Sequence, residues 1–220
     1  HIMKYLELKS GNHIMNVSKI VLGTDYFGTT VSKDTAFQMM DSFIEAGGNC
    51  IDTARVYAQW LPGGKGASEK VIGEWLKSRG IRDKVIISTK GGHPPLGKMD
   101  QGRLSRECIE SDLDESLKAL QTDYIDVYQL HWPERNQPMF GQWQFDPAND
   151  KECTSIRAQL EALGDGPEPR KPDGSPLVFG LGVIEFSVLA LGARQITVMG
   201  FVVDDQQAPP RLEPSEHPTE

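Results

Sequence analysis

The sequence predicts an α/β fold built from parallel βαβ units. Short apolar, β-branched runs recur between Val17 and His131, each of a length typical of one strand. Amphipathic helical patterns lie between them, and the strand–helix pair repeats at intervals of roughly 35 residues, as right-handed βαβ units do. This pattern alone fits either an open doubly wound sheet or a closed (β/α)8 barrel.

Four strands are predicted from runs rich in Val, Ile and Leu. They cover residues 17–22, 49–51, 85–88 and 124–130. Each run is too short for a helix of ordinary length. We therefore expect buried strands of a parallel sheet.

Three helices are predicted between the strands, because apolar residues recur there at three- and four-residue steps. The first covers residues 34–46 and ends at Gly47–Gly48. Ser68 is the expected N-cap of the second, which ends at Gly80, and Ser105 is the expected N-cap of the third. The expected inner faces consist of Phe37, Met40, Phe43 and Ile44, then Val71, Ile72, Trp75 and Leu76, then Cys108, Ile109, Leu113, Leu117 and Leu120.

Charge and cysteine content exclude several classes of function. The chain has 31 acidic and 23 basic residues, a formal net charge of −8, which argues against binding to nucleic acid or to an anionic membrane surface. Cys50, Cys108 and Cys153 fit neither a zinc-binding nor a disulfide spacing. We therefore expect a reducing compartment and no metal site.

No segment is predicted to direct the chain to a membrane or out of the cell. The first residues lack the apolar run of a secretory signal, so we expect a cytoplasmic protein. The most apolar stretch, residues 177–203, is interrupted by Glu185 and Arg194 and is not expected to span a bilayer.

Residues of chemical interest follow each predicted strand. Gly23–Thr24–Asp25 follow the first, and Asp52, Lys90 and His131 follow the other three. Taken singly, each is more often structural than catalytic. In a parallel α/β fold, however, these positions share one face, the face where ligands bind.

Tyr57, five residues after Asp52, adds a proton donor to this set. A tyrosine with its ordinary pKa near 10 is a slow acid at neutral pH, and a nearby ammonium would lower that pKa by stabilising the phenolate. Asp52 would hold Lys90 in place, and His131 would orient a substrate carbonyl. The set therefore predicts proton transfer to a carbonyl group.

Five strings of residues resemble one enzyme family. They are GTDYFGT (23–29), IDTARVY (51–57), SEKVIGEWLK (68–77), IISTKGG (86–92) and SLKALQTDYIDVYQLHWPER (116–135). Their order, and the spacing of Tyr57, Lys90 and His131, closely resemble the aldo-keto reductase superfamily over roughly residues 4–135. The resemblance implies a TIM-type (β/α)8 barrel with an N-terminal hairpin closing its floor.

The resemblance also implies an NADPH-dependent oxidoreductase that transfers hydride directly to an aldehyde or ketone, without a metal. Tyr57 matches the general acid, and the rest of the catalytic tetrad is Asp52, Lys90 and His131. The cofactor-binding residues that it implies are Gly23, Thr24, Asp25 and Asp52. Tyr26 and Trp132 are expected in the substrate pocket. Trp132 and the further aromatic candidates Phe140, Trp143 and Phe145 fit equally well a loop that packs on its own barrel rim.

The second half departs from the family pattern. Residues 154–164 still resemble a helix of the family, and residues 181–187 resemble its fifth strand, but Ile184 and Glu185 stand where Ser and Asn are usual. Isoleucine offers no hydrogen-bonding side chain and ionised glutamate only accepts, so we expect weakened binding of the nicotinamide carboxamide. Residues 164–176 are expected to form an exposed Gly/Pro-rich loop, and residues 196–203 a sixth strand.

These patterns predict one barrel domain over residues 1–203, incomplete at about six βα units, and a disordered acidic tail over 204–220. Open strand edges would allow self-association. The intact tetrad favours reduction of a small carbonyl substrate. The departures favour the alternative, a catalytically impaired or non-enzymatic binding or regulatory protein on the same scaffold.

Overall fold

The computed structural model describes residues 2–10, 13–137, 144–164 and 178–179. The strands are β1 (Tyr5–Ser10), β2 (His13–Ser18), β3 (Leu22–Gly23), β4 (Cys50–Asp52), β5 (Ile86–Gly91), β6 (Val127–Leu130) and β7 (Val178–Phe179). The helices are α1 (Lys33–Glu45), α2 (Ala67–Arg79), α3 (Arg106–Leu120) and α4 (Ile156–Gly164), with short 3₁₀ turns at Arg82–Lys84 and Pro147–Asn149.

Strands β3 to β7 form one parallel sheet in the order of the chain. Each new strand adds to the same edge, as in a barrel wall, whereas a doubly wound sheet reverses its strand order part-way. The order therefore favours the barrel over the open sheet. β7 pairs with β6 three residues before the range in which the sequence predicted the fifth strand.

The prediction of one strand over residues 17–22 is wrong, because the chain turns inside this run. Val17 belongs to β2 of the antiparallel hairpin, and Leu22 belongs to the first strand of the parallel sheet. Asn49 fixes this arrangement: its side-chain oxygen accepts from the Ser18 amide at 2.8 Å, and its Nδ2 donates to the Asn16 carbonyl at 2.8 Å.

The hairpin covers the N-terminal end of the sheet. Val17 packs in a buried cluster with Cys50, Ile86 and Val127, which lie at the beginnings of three successive strands. The floor of the sheet is therefore apolar. The opposite, C-terminal end is left for chemistry.

The helix ends agree with the sequence at Gly80 and Ser105 and differ at Ser68. Gly80 ends α2 in the left-handed conformation, and the Ser105 hydroxyl accepts from the Cys108 amide. The prediction that Ser68 caps α2 is wrong: Gly66 occupies the cap position, and the buried Ser68 hydroxyl donates to the Thr24 carbonyl at 2.9 Å. Ser68 thus links α2 to the loop after β3.

Several predicted features lie outside the described residues. They are the loop beyond residue 164, the strands at 181–187 and 196–203, the tail at 204–220, and the side chains of Phe140, Trp143, Ile184 and Glu185. Within the described part of the chain, no helix is long and apolar enough to cross a membrane. The same residues contain no group of three or more His, Cys, Asp or Glu side chains that could hold a metal ion.

Candidate active site

Four neighbouring strands bring the predicted site residues together at their C-terminal ends. Asp52 is the last residue of β4, Lys90 lies one residue before the end of β5, and His131 directly follows β6. Tyr57 is carried by the turn after β4, and its ring centroid lies 5.8 Å from that of His131. The site therefore depends on the parallel register of the sheet.

Lys90 is the centre of the site and is almost fully buried. Its ammonium donates to Asp52 Oδ2 at 2.6 Å, to the Tyr57 hydroxyl at 2.8 Å and to the Thr53 carbonyl at 2.9 Å. An ammonium has three N–H donors, so all of them are used. This satisfaction is what makes a buried lysine tolerable.

Asp52 is held through both oxygens. Oδ2 accepts from Lys90, and Oδ1 accepts from the Ser88 hydroxyl at 3.2 Å. Gln129 in turn donates from Nε2 to that hydroxyl at 2.6 Å. Side chains of β4, β5 and β6 thus form one buried network, and the carboxylate has little freedom to rotate.

The Tyr57 hydroxyl accepts from Lys90 and donates to Asp52 Oδ2 at 3.2 Å. Asp25, in the loop after β3, places a second carboxylate near this hydroxyl. Burial, followed by the carboxylates of Asp52 and Asp25, raises the pKa of the Tyr57 phenol above its ordinary value. The expected net lowering of this pKa is therefore wrong: burial and the two carboxylates outweigh the stabilising effect of the Lys90 ammonium, and the phenol is protonated at neutral pH.

His131 is a neutral imidazole in this setting. Burial, then the nearby positive charge of Lys90, lowers its pKa well below 6.5. Its backbone amide donates to the Gly91 carbonyl at 2.7 Å, which ties it to β5. Its Nδ1 is buried and finds no hydrogen-bond partner among the described residues.

Sequence reasoning missed a second histidine in the site. His93 packs against His131 with ring centroids 5.0 Å apart and against Trp132 at 5.3 Å. Its Nδ1 lies 2.6 Å from the Pro94 carbonyl, and burial lowers its pKa. The signal was its place three residues after Lys90. Trp132, predicted for the substrate pocket, is itself buried beside His93.

The end of β3 and the loop after it contain one residue that is buried, Thr24, and one that lies beside open space, Gly23. The Thr24 hydroxyl is buried and donates to the Asp52 carbonyl at 2.9 Å, so this side chain serves the junction of β3 and β4. At Gly23, by contrast, an added Cβ would meet no described atom within 4 Å. Of the four predicted cofactor residues, Gly23 thus lies beside open space, while Thr24 and Asp52 are buried and Asp25 is partly exposed.

An aromatic pair stands at the exposed rim. Tyr26 and Trp60 lie edge to face, with ring centroids 6.0 Å apart, and both are exposed. Tyr26 was predicted for the pocket, whereas Trp60 was missed, although it follows Tyr57 by only three residues. The rim above the tetrad offers an apolar surface to a ligand.

The comparison with protein families agrees with this geometry. The model described as the aldo/keto reductase family matches residues 19–164. The chain belongs to the aldo/keto reductase family. The family fold is the (β/α)8 barrel, and the parallel strands and helices described above are part of it. The predicted family and fold class are confirmed.

Named members of the family are similar to parts of this chain. Protein tas of Escherichia coli (strain K12) is 36% identical over 157 residues, which cover 69% of this chain and 45% of that protein. Probable aryl-alcohol dehydrogenase AAD4 of Saccharomyces cerevisiae is 39% identical over 110 residues, 47% of this chain and 32% of that protein. The chain thus spans less than half the length of these relatives.

A solved structure is also similar. It is the holo form of aldo-keto reductase AKR11C1 from Bacillus halodurans, 36% identical, with a TM-score of 0.47; the match covers 59% of this chain and 40% of that one.

Proposed function

We propose that this aldo/keto reductase reduces aldehyde or ketone groups to alcohols with NADPH as hydride donor. The observation that carries the proposal is the buried contact of Lys90 with both Tyr57 and Asp52. A buried tyrosine, lysine and carboxylate in direct contact form a proton donor with fixed geometry. Fixed geometry is what a general acid needs.

In the proposed reaction, hydride adds to the carbonyl carbon and a proton adds to the carbonyl oxygen. The cofactor supplies the hydride when bound. Tyr57 supplies the proton, and Lys90 stabilises the phenolate that remains. Asp52 keeps the ammonium directed at the phenol, and the neutral His131 donates to the carbonyl oxygen and orients it.

The residues at the end of β3 fit a bound nicotinamide and its ribose. Gly23 leaves open space at the strand end. Asp25 lies beside the Tyr57 hydroxyl, where the hydride donor and the substrate carbonyl must meet. Gly23 and Asp25 would therefore hold this end of the cofactor, with the buried Thr24 and Asp52 supporting them from beneath.

The exposed aromatic pair Tyr26 and Trp60 favours an apolar or aromatic carbonyl substrate. The name of one relative, probable aryl-alcohol dehydrogenase AAD4, agrees with this substrate class. Within this class we place aryl aldehydes first.

The three cysteines agree with a cytoplasmic site of action. Cys50, Cys108 and Cys153 form no disulfide among the described residues, and disulfides are rare in cytosolic proteins. Cell fractionation with an antibody to the chain would test this location, and recovery in a secreted fraction would contradict it.

Replacement of Tyr57 tests the function. Tyr57→Phe removes one hydroxyl and keeps the ring, so we expect reduction of an aryl aldehyde, followed through NADPH absorbance, to fall by about 10²- to 10⁴-fold. Tyr5→Phe is the control, because it removes a hydroxyl of the hairpin that donates to the Gly47 carbonyl after α1 and belongs to no residue of the site. Activity of Tyr57→Phe within threefold of the starting protein would remove this tyrosine from the acid role.

A further inference from the structure

Helix α3 carries one buried carboxylate that lies near the site. Asp112 is 1% exposed and lies beneath the C-terminal end of β5. Its Oδ2 accepts from the Gly92 amide at 2.8 Å, and its Oδ1 lies 3.0 Å from Arg55 Nε and 2.5 Å from Arg103 Nη2. One side chain therefore binds three separate segments.

One of those segments carries Tyr57, and another carries Lys90. Arg55 lies in the turn between Asp52 and Tyr57, and its amide donates to the Lys90 carbonyl at 3.2 Å. Gly92 follows Lys90 by two residues and comes directly after β5. Asp112 thus joins the segment of the phenol to the segment of the ammonium, without contacting either group.

Close packing keeps α3 against this strand end. A Cβ at Gly91 would lie 1.9 Å from the Tyr128 hydroxyl and 2.9 Å from Asp112 Cβ, so only glycine allows this approach. Gly92 has a φ of +77°, which places its amide in reach of the carboxylate. Because the glycines allow this close approach, the short side chain of Asp112 reaches the Gly92 amide directly. Such a contact fixes the position of the strand end better than a long flexible side chain would.

The charges show that Asp112 is bound tightly. Both arginines are mostly buried, with 15% and 25% of their side chains exposed. A buried carboxylate that lost one partner would leave an uncompensated charge, which is strongly unfavourable. The ion pairs therefore restrict the turn that carries Tyr57.

We propose that Asp112 is a positioning residue that holds the Tyr57 hydroxyl within hydrogen-bond distance of the Lys90 ammonium. Its catalytic consequence rests on the proposed function. The coupling between Tyr57 and Lys90, however, is a property of the chain alone and is measured without turnover.

The test places a fluorinated tyrosine at position 57 of the full chain and follows its ionisation by ¹⁹F NMR. Fluorine makes the phenol more acidic, so its titration begins at lower pH than that of tyrosine and is followed up to the highest pH at which circular dichroism shows the chain folded. Lys90→Met removes the ammonium and should raise the phenol pKa by about one to three pH units. With Asp112→Asn also present, Lys90→Met should raise it by less than half as much, because the two groups are no longer held together.

The comparison separates positioning from simple charge effects. Loss of the Asp112 charge would by itself shift the phenol pKa equally with and without Lys90, and so would leave the Lys90→Met effect unchanged. Asp114→Asn is the matched control, an exposed aspartate on the same helix, and should leave the Lys90→Met effect at its full size.

Each outcome decides one question. An unchanged Lys90→Met effect in Asp112→Asn, even with a lower melting temperature, would overturn the inference and leave the proposed function intact. No Lys90→Met effect in the otherwise unaltered chain would instead remove the contact on which the proposed function depends. If circular dichroism shows that Asp112→Asn does not fold, Arg55→Lys replaces it, since this change keeps the charge and loses the Nε contact, and the same reduction is expected.

Discussion

At the scale of single residues, the site is built around the Lys90 ammonium, whose three hydrogen-bond donors are all used. Lys90 uses its three donors on three different acceptors, two of which belong to residues with proposed catalytic roles. Arginine could not replace it, because its planar guanidinium directs its N–H groups differently. The buried charge is stabilised by geometry, so small displacements of its partners carry a large cost.

Asp25 gives a prediction at this scale. Its carboxylate contributes to the raised pKa of Tyr57, so Asp25→Asn should lower that pKa. Because reduction needs the protonated phenol, the alkaline fall of the rate of carbonyl reduction should move to lower pH in this variant. Because the fall lies above the ordinary tyrosine pKa, rates measured from pH 8 up to the highest pH at which the protein stays folded check the shift, with the exposed Asp34→Asn as control. A fall that stays in place or moves to higher pH contradicts the assigned contact.

At the scale of elements, α2 and α3 approach each other through one glycine. A Cβ at Gly73 would lie 2.4 Å from the Ala119 carbonyl oxygen and 2.7 Å from the Leu120 carbonyl carbon. These are backbone atoms of α3, so they cannot rotate away as a side chain could. The position of α3, and with it Asp112, depends on this contact.

Gly73→Ala should therefore destabilise the protein even though alanine is the better helix former. Helix propensity favours alanine by about 1 kcal/mol, whereas overpacking costs typically about 1–3 kcal/mol and more when backbone must move. We expect a net loss in the free energy of unfolding, measured with urea. Lys77→Ala, an exposed change on the same helix, should have little effect. A stabilised Gly73→Ala protein would show that the helices separate easily.

The elements also show what the sequence could reveal. Periodic apolar residues placed α1 to α3 correctly, and the strand ends identified Asp52, Lys90 and His131 as neighbours. The turn within residues 17–22 was missed, because the Asn49 side chain that fixes it lies far along the chain. Likewise Asp112 has the sequence pattern of an ordinary acidic residue, and only its tertiary ion pairs distinguish it.

At the scale of the whole molecule, buried ionisable groups link the site to stability. His131 is neutral when folded and takes a proton near pH 6.5 when unfolded, so its contribution to stability is full above that pH. The contribution is lost as the pH falls below 6.5 towards the lower pKa of the folded state, by up to about 1.4 kcal/mol per pH unit. Acidification should therefore destabilise His131→Gln less than the starting protein. Urea unfolding at pH 7 and pH 5 measures the difference, and equal losses would contradict the lowered pKa.

Glu69 should produce the opposite response. It is 1% exposed, accepts from the Thr89 hydroxyl at 2.6 Å, and has a pKa raised by burial. Its folded state therefore takes up a proton at higher pH than its unfolded state, which adds stability in acid and loses it as the pH rises through the raised pKa. Glu69→Gln removes this gain, so acidification from pH 7 to pH 5 should destabilise Glu69→Gln more than the starting protein. Glu45→Gln, at an exposed position on α1, should show no such difference. A smaller acid effect in Glu69→Gln would mean that this carboxyl is ionised in the folded core and that its charge is balanced by a neighbouring cation.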